Sequence, residues 1–390
     1  MRTVPLGDVC HVTTGQSAPQ ESTAFGSSGT PFVRAGSLER LCSGVSEESL
    51  ELVPSDQAVK FRLKKFPKDT IVFAKSGMSA KLGRVYRLRR ECHVVSHLAA
   101  VLPSADVDPA YLLRWFEYSP PSRLIENDAY PSIKTSTLEK IPVHLPEIAE
   151  QRRIAAILDK ADALRFKRRE AIVKIDQLLQ SVFVDMFGDP AKNPKGFDVC
   201  ALEEISDRSD RINYGVVQPG SEFSDGVPIV RVGDIEGGEL DASSIKRIDP
   251  VIEAAYTRSR LKGNEILISC VGSIGTIAIV PASAIGFNIA RAITRVPLKN
   301  PESRSFVKAC LRSAGTQNYF MEKTRTVSQP TLNVEFVKQT PVLSPPIELQ
   351  QRFSNIASAL ELQKRQLRIS ASQLDTLFAS LQRRAFTGQL

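Results

Sequence analysis

The sequence predicts an α+β protein written as two copies of one plan. Two globular mixed domains are related by pseudo-two-fold symmetry, each is followed by a long helix, and the two helices pair as an antiparallel coiled coil. Three observations predict this. LPEIAEQRRIAAILDKADAL, from Leu145 to Leu164, aligns without a gap on SPPIELQQRFSNIASALELQ, from Ser344 to Gln363, at a constant offset of 199 residues. Pro146, Ile148, Gln151, Arg153 and Ile157 thereby meet Pro345, Ile347, Gln350, Arg352 and Ile356. Shorter echoes precede each copy: PFVRAGSLE (Pro31 to Glu39) and PIVRVGDIE (Pro228 to Glu236) share five of nine letters. The third observation is a sustained seven-residue apolar repeat in both helical stretches.

The elements follow in chain order. Residues 1–145 form a first mixed domain, 146–188 a central helix, 189–345 a second mixed domain and 346–390 a distal helix. DTIVFAKSG (Asp69 to Gly77) matches NEILISCVG (Asn264 to Gly272), and both read as short β-branched strands ending at glycine. DPAYLLRWFEYS and SRSFVKACLRSAG carry helical spacing behind a capping residue. GQSAPQESTAFGSSGT and GVVQPGSEFSDG are rich in Gly, Ser and Pro and read as exposed loops. Pro131-Ser132-Ile133 matches Pro330-Thr331-Leu332.

In the central helix every seventh residue is Ile154, Ala161, Arg168, Ile175 and Val182; in the distal helix it is Phe353, Leu360, Leu367, Leu374 and Leu381. These ten residues are the expected seam of a coiled coil. A second row four residues on is largely apolar (Leu158, Ile172, Leu179, Met186; Ala357, Ala371, Phe378, Ala385), and a third holds Ile157, Leu164, Ala171 and Leu178, matched by Ile356, Gln363, Ser370 and Leu377. The stripe is therefore wide enough to dock something besides the partner helix. About 40 helical residues make a rod of roughly 60 Å. A chain with a globular domain between two such rods brings the second back antiparallel to the first.

At 390 residues, 42% apolar and 24% charged, the composition is that of a soluble globular protein of two or three domains. No apolar run approaches the ~20 residues of a membrane span. The opening MRTVPLGDVCHVTTG has no secretory pattern, so the expectation is cytoplasmic. Six scattered cysteines without a CxxC pair indicate neither a disulfide framework nor a zinc ribbon. Net charge is +8, which favours a polyanionic partner.

The residues offer little catalytic chemistry. There is no GxxxxGK[ST] phosphate loop. Asp108-Pro109-Ala110-Tyr111 resembles the Asp-Pro-Pro-Tyr motif of adenine methyltransferases but lacks the second proline, and Asp108 reads better as a helix cap. Gly272-Ser273-Ile274-Gly275 is too short for a dinucleotide fingerprint and reads as a tight turn. Cys92, His93 and His97 lack a fourth metal ligand at suitable spacing, and His11 and His144 are isolated.

Four stretches together carry a resemblance: IPVHLPEIAEQRRIAAILDKADALRFKRR, LLQSVFVDMFGDPAKNPKGF, PPIELQQRF and the closing RRAFTGQL. In order and spacing they resemble the specificity (S) subunit of type I restriction–modification enzymes. One departure is Leu349-Gln350 where the first copy has Glu150-Gln151. The resemblance implies two target-recognition domains, each reading one half of a split DNA site, held by antiparallel coiled-coil helices that set the spacing. It implies no catalytic residues, metal or cofactor in this chain. The expected partners are double-stranded DNA, two modification subunits that methylate adenine from S-adenosylmethionine, and restriction subunits that translocate and cut DNA using ATP. Both small molecules would belong to those subunits.

Charge is spread evenly, with 18 basic against 15 acidic residues over 1–145 and 19 against 18 over 189–345, so DNA contact must use local patches or the complex with partner subunits. KSGMSAKLGRVYRLRR, from Lys75 to Arg90, is the clearest, with Lys75, Ser76, Lys81 and Arg84 as candidate contacts. The matching stretch Ser269 to Thr276 is uncharged and suits close backbone approach, with Ser269 and Ser273 as candidates. Asn213, Gln218, Arg231, Arg291 and Gln329 are the remaining polar candidates of the second domain. Arg34 and Arg231 occupy equivalent places, which suggests a structural or phosphate role. Two other readings stay open at this level: a lone adenine methyltransferase built on Asp108–Tyr111, and a coiled-coil adaptor without a DNA role.

Overall fold

The computed structural model describes residues 2–241, 245–325 and 329–390. The chain divides into two compact units, Met1–Arg169 with Ile369–Leu390, and Glu170–Arg368. Each combines one globular domain with part of both long helices.

In the first unit the strands are β1 (Arg2–Pro5), β2 (Cys10–Thr14), β3 (Thr30–Val33), β4 (Leu52–Val53), β5 (Ile71–Ala74), β6 (Val85–Arg87), β7 (His93–Val94), β8 (Leu98–Pro103) and β9 (Pro142–Leu145). They form an antiparallel sheet in the order β2-β8-β5-β6, a second sheet β4-β3-β7 with β3 and β7 parallel, and the pair β1-β9. β5 is buried on both faces, and strand periodicity separates two cores. Ile71 and Phe73 pack with Tyr111, Phe116, Ile154, Leu158 and Phe386, whereas Val72 and Ala74 pack with Phe32, Val94 and Leu98.

The second unit repeats this with β10 (Asp198–Ala201), β11 (Asn213–Tyr214), β12 (Val227–Val230), β13 (Ile235–Glu236), β14 (Glu239–Leu240), β15 (Arg247–Ile248), β16 (Glu265–Ser269), β17 (Ile277–Ile279), β18 (Asn288–Ile289), β19 (Ile293–Pro297) and β20 (Pro341–Ser344). The sheets are β11-β19-β16-β17, β15-β12-β18 and β10-β20, the same orders strand for strand. The hairpin β13-β14 is an addition of this unit. Ile266 and Ile268 face Phe183, Phe306 and Phe353, and Leu267 faces Val230 and Ile289.

The central helix runs Ile148–Phe187 and the distal helix Ile347–Phe386, 40 residues each. The offset of 199 therefore holds at both ends. Their entries explain the repeated proline and glutamine. Proline ends the preceding strand without an N–H to satisfy, and the glutamine of the first helical turn reaches back to its carbonyl. The Gln151 amide donates to Pro146 O at 2.9 Å and to Asp106 O at 2.9 Å, while its Oε1 accepts the Asp108 N–H at 2.8 Å. Gln350 donates to Pro345 O at 2.9 Å. The central helix stops at Gly188, whose φ of +78° suits a left-handed C-terminal residue, and Lys195 Nζ donates to Met186 O at 3.0 Å.

The helices run antiparallel within each unit. In the first, Arg153 donates to Leu390 O while Arg165, further along, meets the earlier Asp375. In the second, Asp176 meets Lys364 while Phe183 and Phe187 meet the earlier Phe353. All ten seam residues are buried or half-buried, Ile154 and Phe353 completely so. The row four residues on is interrupted by Arg165 and Lys364, and both cations point into the seam rather than away from it. In the third row Leu164, Leu178 and Leu377 are about half exposed, at 49%, 50% and 51%, so this row is the outward edge of the stripe.

Candidate nucleic-acid interface

Each domain gathers four loop segments beyond the ends of its central strands. In the first domain Gly15 N donates to Leu98 O at 3.3 Å, Gln16 N to Val94 O at 2.9 Å and Ser96 N to Gln16 O at 2.8 Å. Lys75 N donates to His97 O at 2.9 Å, Gly77 N to Pro131 O at 2.9 Å and Ile133 N to Lys75 O at 2.8 Å. Backbone bonds thus tie segments 15–16, 75–77, 94–98 and 131–133 together. The second domain repeats the pattern: Val216 N donates to Ile289 O, Arg291 N to Val216 O, Cys270 N to Ala292 O and Leu332 N to Cys270 O, each at 2.8 Å.

Glycine is required where these segments cross. A Cβ on Gly15 would fall 2.0 Å from Val94 O, and one on Gly215 would fall 1.7 Å from Ile289 O. Both contacts are impossible for any other residue without moving the backbone. The two loops that read as Gly-, Ser- and Pro-rich are therefore anchored at their first residue.

The structure brings some candidate residues to these clusters and engages others elsewhere. Ser76 is at the centre of the first cluster, its Oγ 3.0 Å from His97 Nδ1, with Lys75 beside it. Lys81 pairs with Asp128 at 2.9 Å and Arg84 with Glu39 at 3.1 Å, so their charge is partly neutralised within the domain. Arg34 is engaged by Glu51 at 2.5 Å and lies over the Phe25 and Phe32 rings, 5.3 Å from each centroid. Arg231 pairs with Asp234 at 3.0 Å. Arg231 thus folds back on the turn after its strand, while Arg34 reaches across to Glu51 beside β4, so both are engaged within their own domain.

In the second domain Arg291, Gln218, Ser273 and Gln329 are exposed. Arg291 lines a cavity of about 490 Å³ with Tyr214, Val217, Thr294, Arg325 and Thr331. Ser269 is a correction. Expected at the interface, it is fully buried, and its Oγ accepts the Thr276 N–H at 2.8 Å and donates to Ser273 O. It braces the loop from below because strand alternation points it inward. Asn213 is likewise spent on its own domain, donating to Arg211 O at 2.9 Å and Arg258 O at 3.1 Å. Beneath it Arg295, fully buried, is held by Glu265 at 3.2 Å and by Asp210. Burial would raise the Asp210 carboxyl, but hydrogen bonds and charge from Arg295 and Lys262 hold it below the usual aspartate range.

The sequence did not single out Met78, Tyr130, Tyr214 and Arg325, and it offered His97 only as a metal ligand. Only the structure pairs Gly77 with Pro131, which makes the residues beside them a tip. The Asp108–Tyr111 reading as a methyltransferase motif does not survive. Asp108 Oδ1 accepts the Ala110 and Tyr111 N–H groups at 3.0 Å, and the Tyr111 ring is fully buried with its hydroxyl donating to His144 O at 2.6 Å. Among the described residues no group of three or more His, Cys, Asp or Glu is placed to hold a metal ion, and no helix is long and apolar enough to cross a membrane.

Two equivalent loop clusters, each on an α+β domain joined to paired helices, define a duplicated recognition scaffold. Residues 1–174 match the type I restriction modification DNA specificity domain. The chain is 28% identical over 317 residues to the Escherichia coli EcoBI specificity subunit, covering 72% of this chain and 66% of that relative's own length. It is 20% identical over 387 residues to the EcoKI specificity subunit of Escherichia coli K12, covering 92% and 82%. Its fold matches that of the S subunit from M. genitalium, with a TM-score of 0.58 at 14% identity over 99% of this chain and 96% of the other. It also matches a chain of a type I restriction–modification system solved in a study of complex assembly and conformational transition, with a TM-score of 0.56 at 16% identity over 100% and 98%. By these comparisons the chain is similar to the specificity subunits of type I restriction–modification systems.

Proposed function

We propose that this chain is the DNA-reading, non-catalytic subunit of a type I restriction–modification complex, in which each domain reads one half of a bipartite site through its loop cluster. The observation that carries this is the duplication of the cluster itself. The same four segments, four of the same backbone bonds and the same obligatory glycines are built twice, while the side chains they display differ between the copies. A scaffold that is constant in backbone and variable in surface suits reading two unrelated short sequences. The paired helices set the gap between the half-sites, and their half-exposed leucines dock two modification subunits. S-adenosylmethionine and ATP are bound by the modification and restriction subunits, in the cytoplasm.

The test is a domain exchange in the complex with modification subunits. Replacing residues 195–340 with the equivalent segment of a relative should change one half of the methylated adenine motif and leave the other half unchanged. Loss or change of both halves together would rule out two independent readers. Methyl transfer by the purified chain alone would rule out a non-catalytic role, and no sequence preference in the complex would favour a plain adaptor.

A further inference from the structure

We propose that Met78 and Tyr130 form an apolar wedge with which the first domain unstacks one base step of its half-site, whereas the equivalent tip of the second domain, Ser273 and Gln329, hydrogen-bonds to base edges. This rests on the DNA-reading role proposed above and assigns two residues within it.

Segments 75–78 and 130–133 run antiparallel. Ser76 bridges Ser132, and Gly77 N donates to Pro131 O at 2.9 Å, so Met78 and Tyr130 are the next residues in line. Gly77, with φ of +77°, turns the chain there. Met78 is 67% exposed and Tyr130 82%, with Leu82 at 57% on the same turn. The tip is built in advance. Asn127 Oδ1 accepts the N–H groups of Ala129 and Tyr130, at 2.9 and 3.3 Å, and Lys81 ties the turn to Asp128 at 2.9 Å. Behind the tip lie Lys75 and the exposed Lys134, their segments joined by the Ile133 N–H to Lys75 O bond of 2.8 Å.

An aromatic ring and a thioether held outward in front of two lysines match what a duplex offers. Phosphates take the lysines, and an opened base step takes the apolar pair. The second domain keeps the backbone and changes the chemistry. Gly272 has φ of +78°, and Leu332 N donates to Cys270 O as Ile133 N does to Lys75 O. Ser273 then stands where Met78 does, and Gln329 stands 199 residues after Tyr130. Gln pairs with adenine edges and Ser with several bases, and neither wedges.

The experiment uses the chain in complex with its modification subunits and duplexes carrying 2-aminopurine at one position at a time across both half-sites. The expected result is a severalfold fluorescence rise at one step of the first half-site, besides any rise at the methylated position, which the modification subunit extrudes. Met78→Ser with Tyr130→Gln should abolish the first rise, keep the second and weaken binding about 10- to 100-fold, with an unchanged melting temperature. Met78→Leu with Tyr130→Phe should retain the signal. The wedge is overturned if the Ser/Gln variant keeps both signal and affinity, or if the wild-type complex binds its site with no rise beyond the methylated position. A wild-type complex without sequence preference overturns the DNA-reading role and the wedge together.

Discussion

Lys364 of the distal helix and Asp176 of the central helix form an ion pair at 2.7 Å, with the lysine only 1% exposed, and the offset of 199 converts the same pair into Arg165 and Asp375 at 2.6 Å. Each cation replaces an apolar residue of the seam. A charge at one core position of a coiled coil costs stability but fixes register, because a shifted alignment leaves it without its partner. In the second unit the hairpin β13-β14 adds Glu239, 3.9 Å from Lys364 and paired with Arg368.

Lys364→Ala should therefore destabilise the chain by about 2–4 kcal/mol, toward the lower end because Asp176 and Glu239 stay 33% and 42% exposed and can be resolvated. Lys364→Met should be close to neutral. Urea melts of the three proteins check this. Equal losses for Ala and Met would mean that the charge, not the packing, supplies the stability.

The arginine copy carries a pH signature. Hydrogen bonds from Arg165, with smaller help from Arg169, hold the Asp375 carboxyl below its usual range despite partial burial. A carboxyl depressed on folding contributes stability that is complete above its unfolded pKa, about 3.9, and disappears as pH falls through the folded value. The stability gap between wild type and Asp375→Asn should be largest at neutral pH and close on acidification below about pH 3.9. A gap that stayed constant to pH 3 would remove the ion pair as its cause.

Arg114 anchors the first domain to the central helix. Its guanidinium, 10% exposed, reaches Glu117 at 2.7 Å, Asp159 at 2.8 Å and Asp162 at 3.1 Å. Burial and the neighbouring Asp162 and Asp159 raise the Glu117 carboxyl, although Arg114 opposes this. Arg114→Ala strands three acids around a half-dry site and should cost about 3–5 kcal/mol. Arg114→Lys should recover only part, since an ammonium cannot reproduce the fork. Denaturant titration of both variants is the measurement, and full recovery by lysine would show that charge alone suffices.

Much of this architecture was legible because the repeat is long and the periodicities are strong. The long helices and the capping role of Asp108 follow from spacing and capping rules that act locally, and the antiparallel return follows from the domain that lies between the two helices. The loop clusters were less legible. Ser269 looked available because it lies in a Gly- and Ser-rich stretch, but the alternation of β16 continues through it and turns it inward. Arg34, Lys81 and Arg84 looked like phosphate contacts because their partners Glu51, Asp128 and Glu39 are distant in sequence. Arg165 and Lys364 were passed over because an apolar pattern cannot announce a charge that belongs in a core.

Gly15 and Gly215 offer a direct test of the clusters. Alanine at either must move a backbone carbonyl by more than 1 Å to reach an ordinary contact, since the Cβ would start at 2.0 or 1.7 Å. Gly15→Ala should weaken reading of the first half-site at least tenfold, about 1.4 kcal/mol, and leave discrimination at the second intact; Gly215→Ala should do the reverse. Binding to duplexes mutated in one half at a time separates the two. Equal loss on both halves would mean that the clusters are not independent readers.

The last prediction concerns spacing. If the paired helices act as a ruler, removing one heptad from each should shorten the preferred gap between half-sites. The segments must face each other, or the buried pairs are broken. Deleting residues 168–174 and 366–372 leaves Arg165 with Asp375 and Lys364 with Asp176 while keeping the apolar phase, since a heptad is nearly two helical turns. The helices lose roughly 10 Å at 1.5 Å per residue, about three base pairs at ~3.4 Å each. Three of ~10 base pairs per turn also rotates one half-site by close to a third of a circle. The original site should therefore be lost, and a site with a shorter gap should be bound only weakly, because its groove faces the second reader at the wrong angle. Binding of the complex to duplexes that differ only in spacer length measures both effects. Retention of the original spacer preference would make the coil a packing element and assign the gap to the modification subunits.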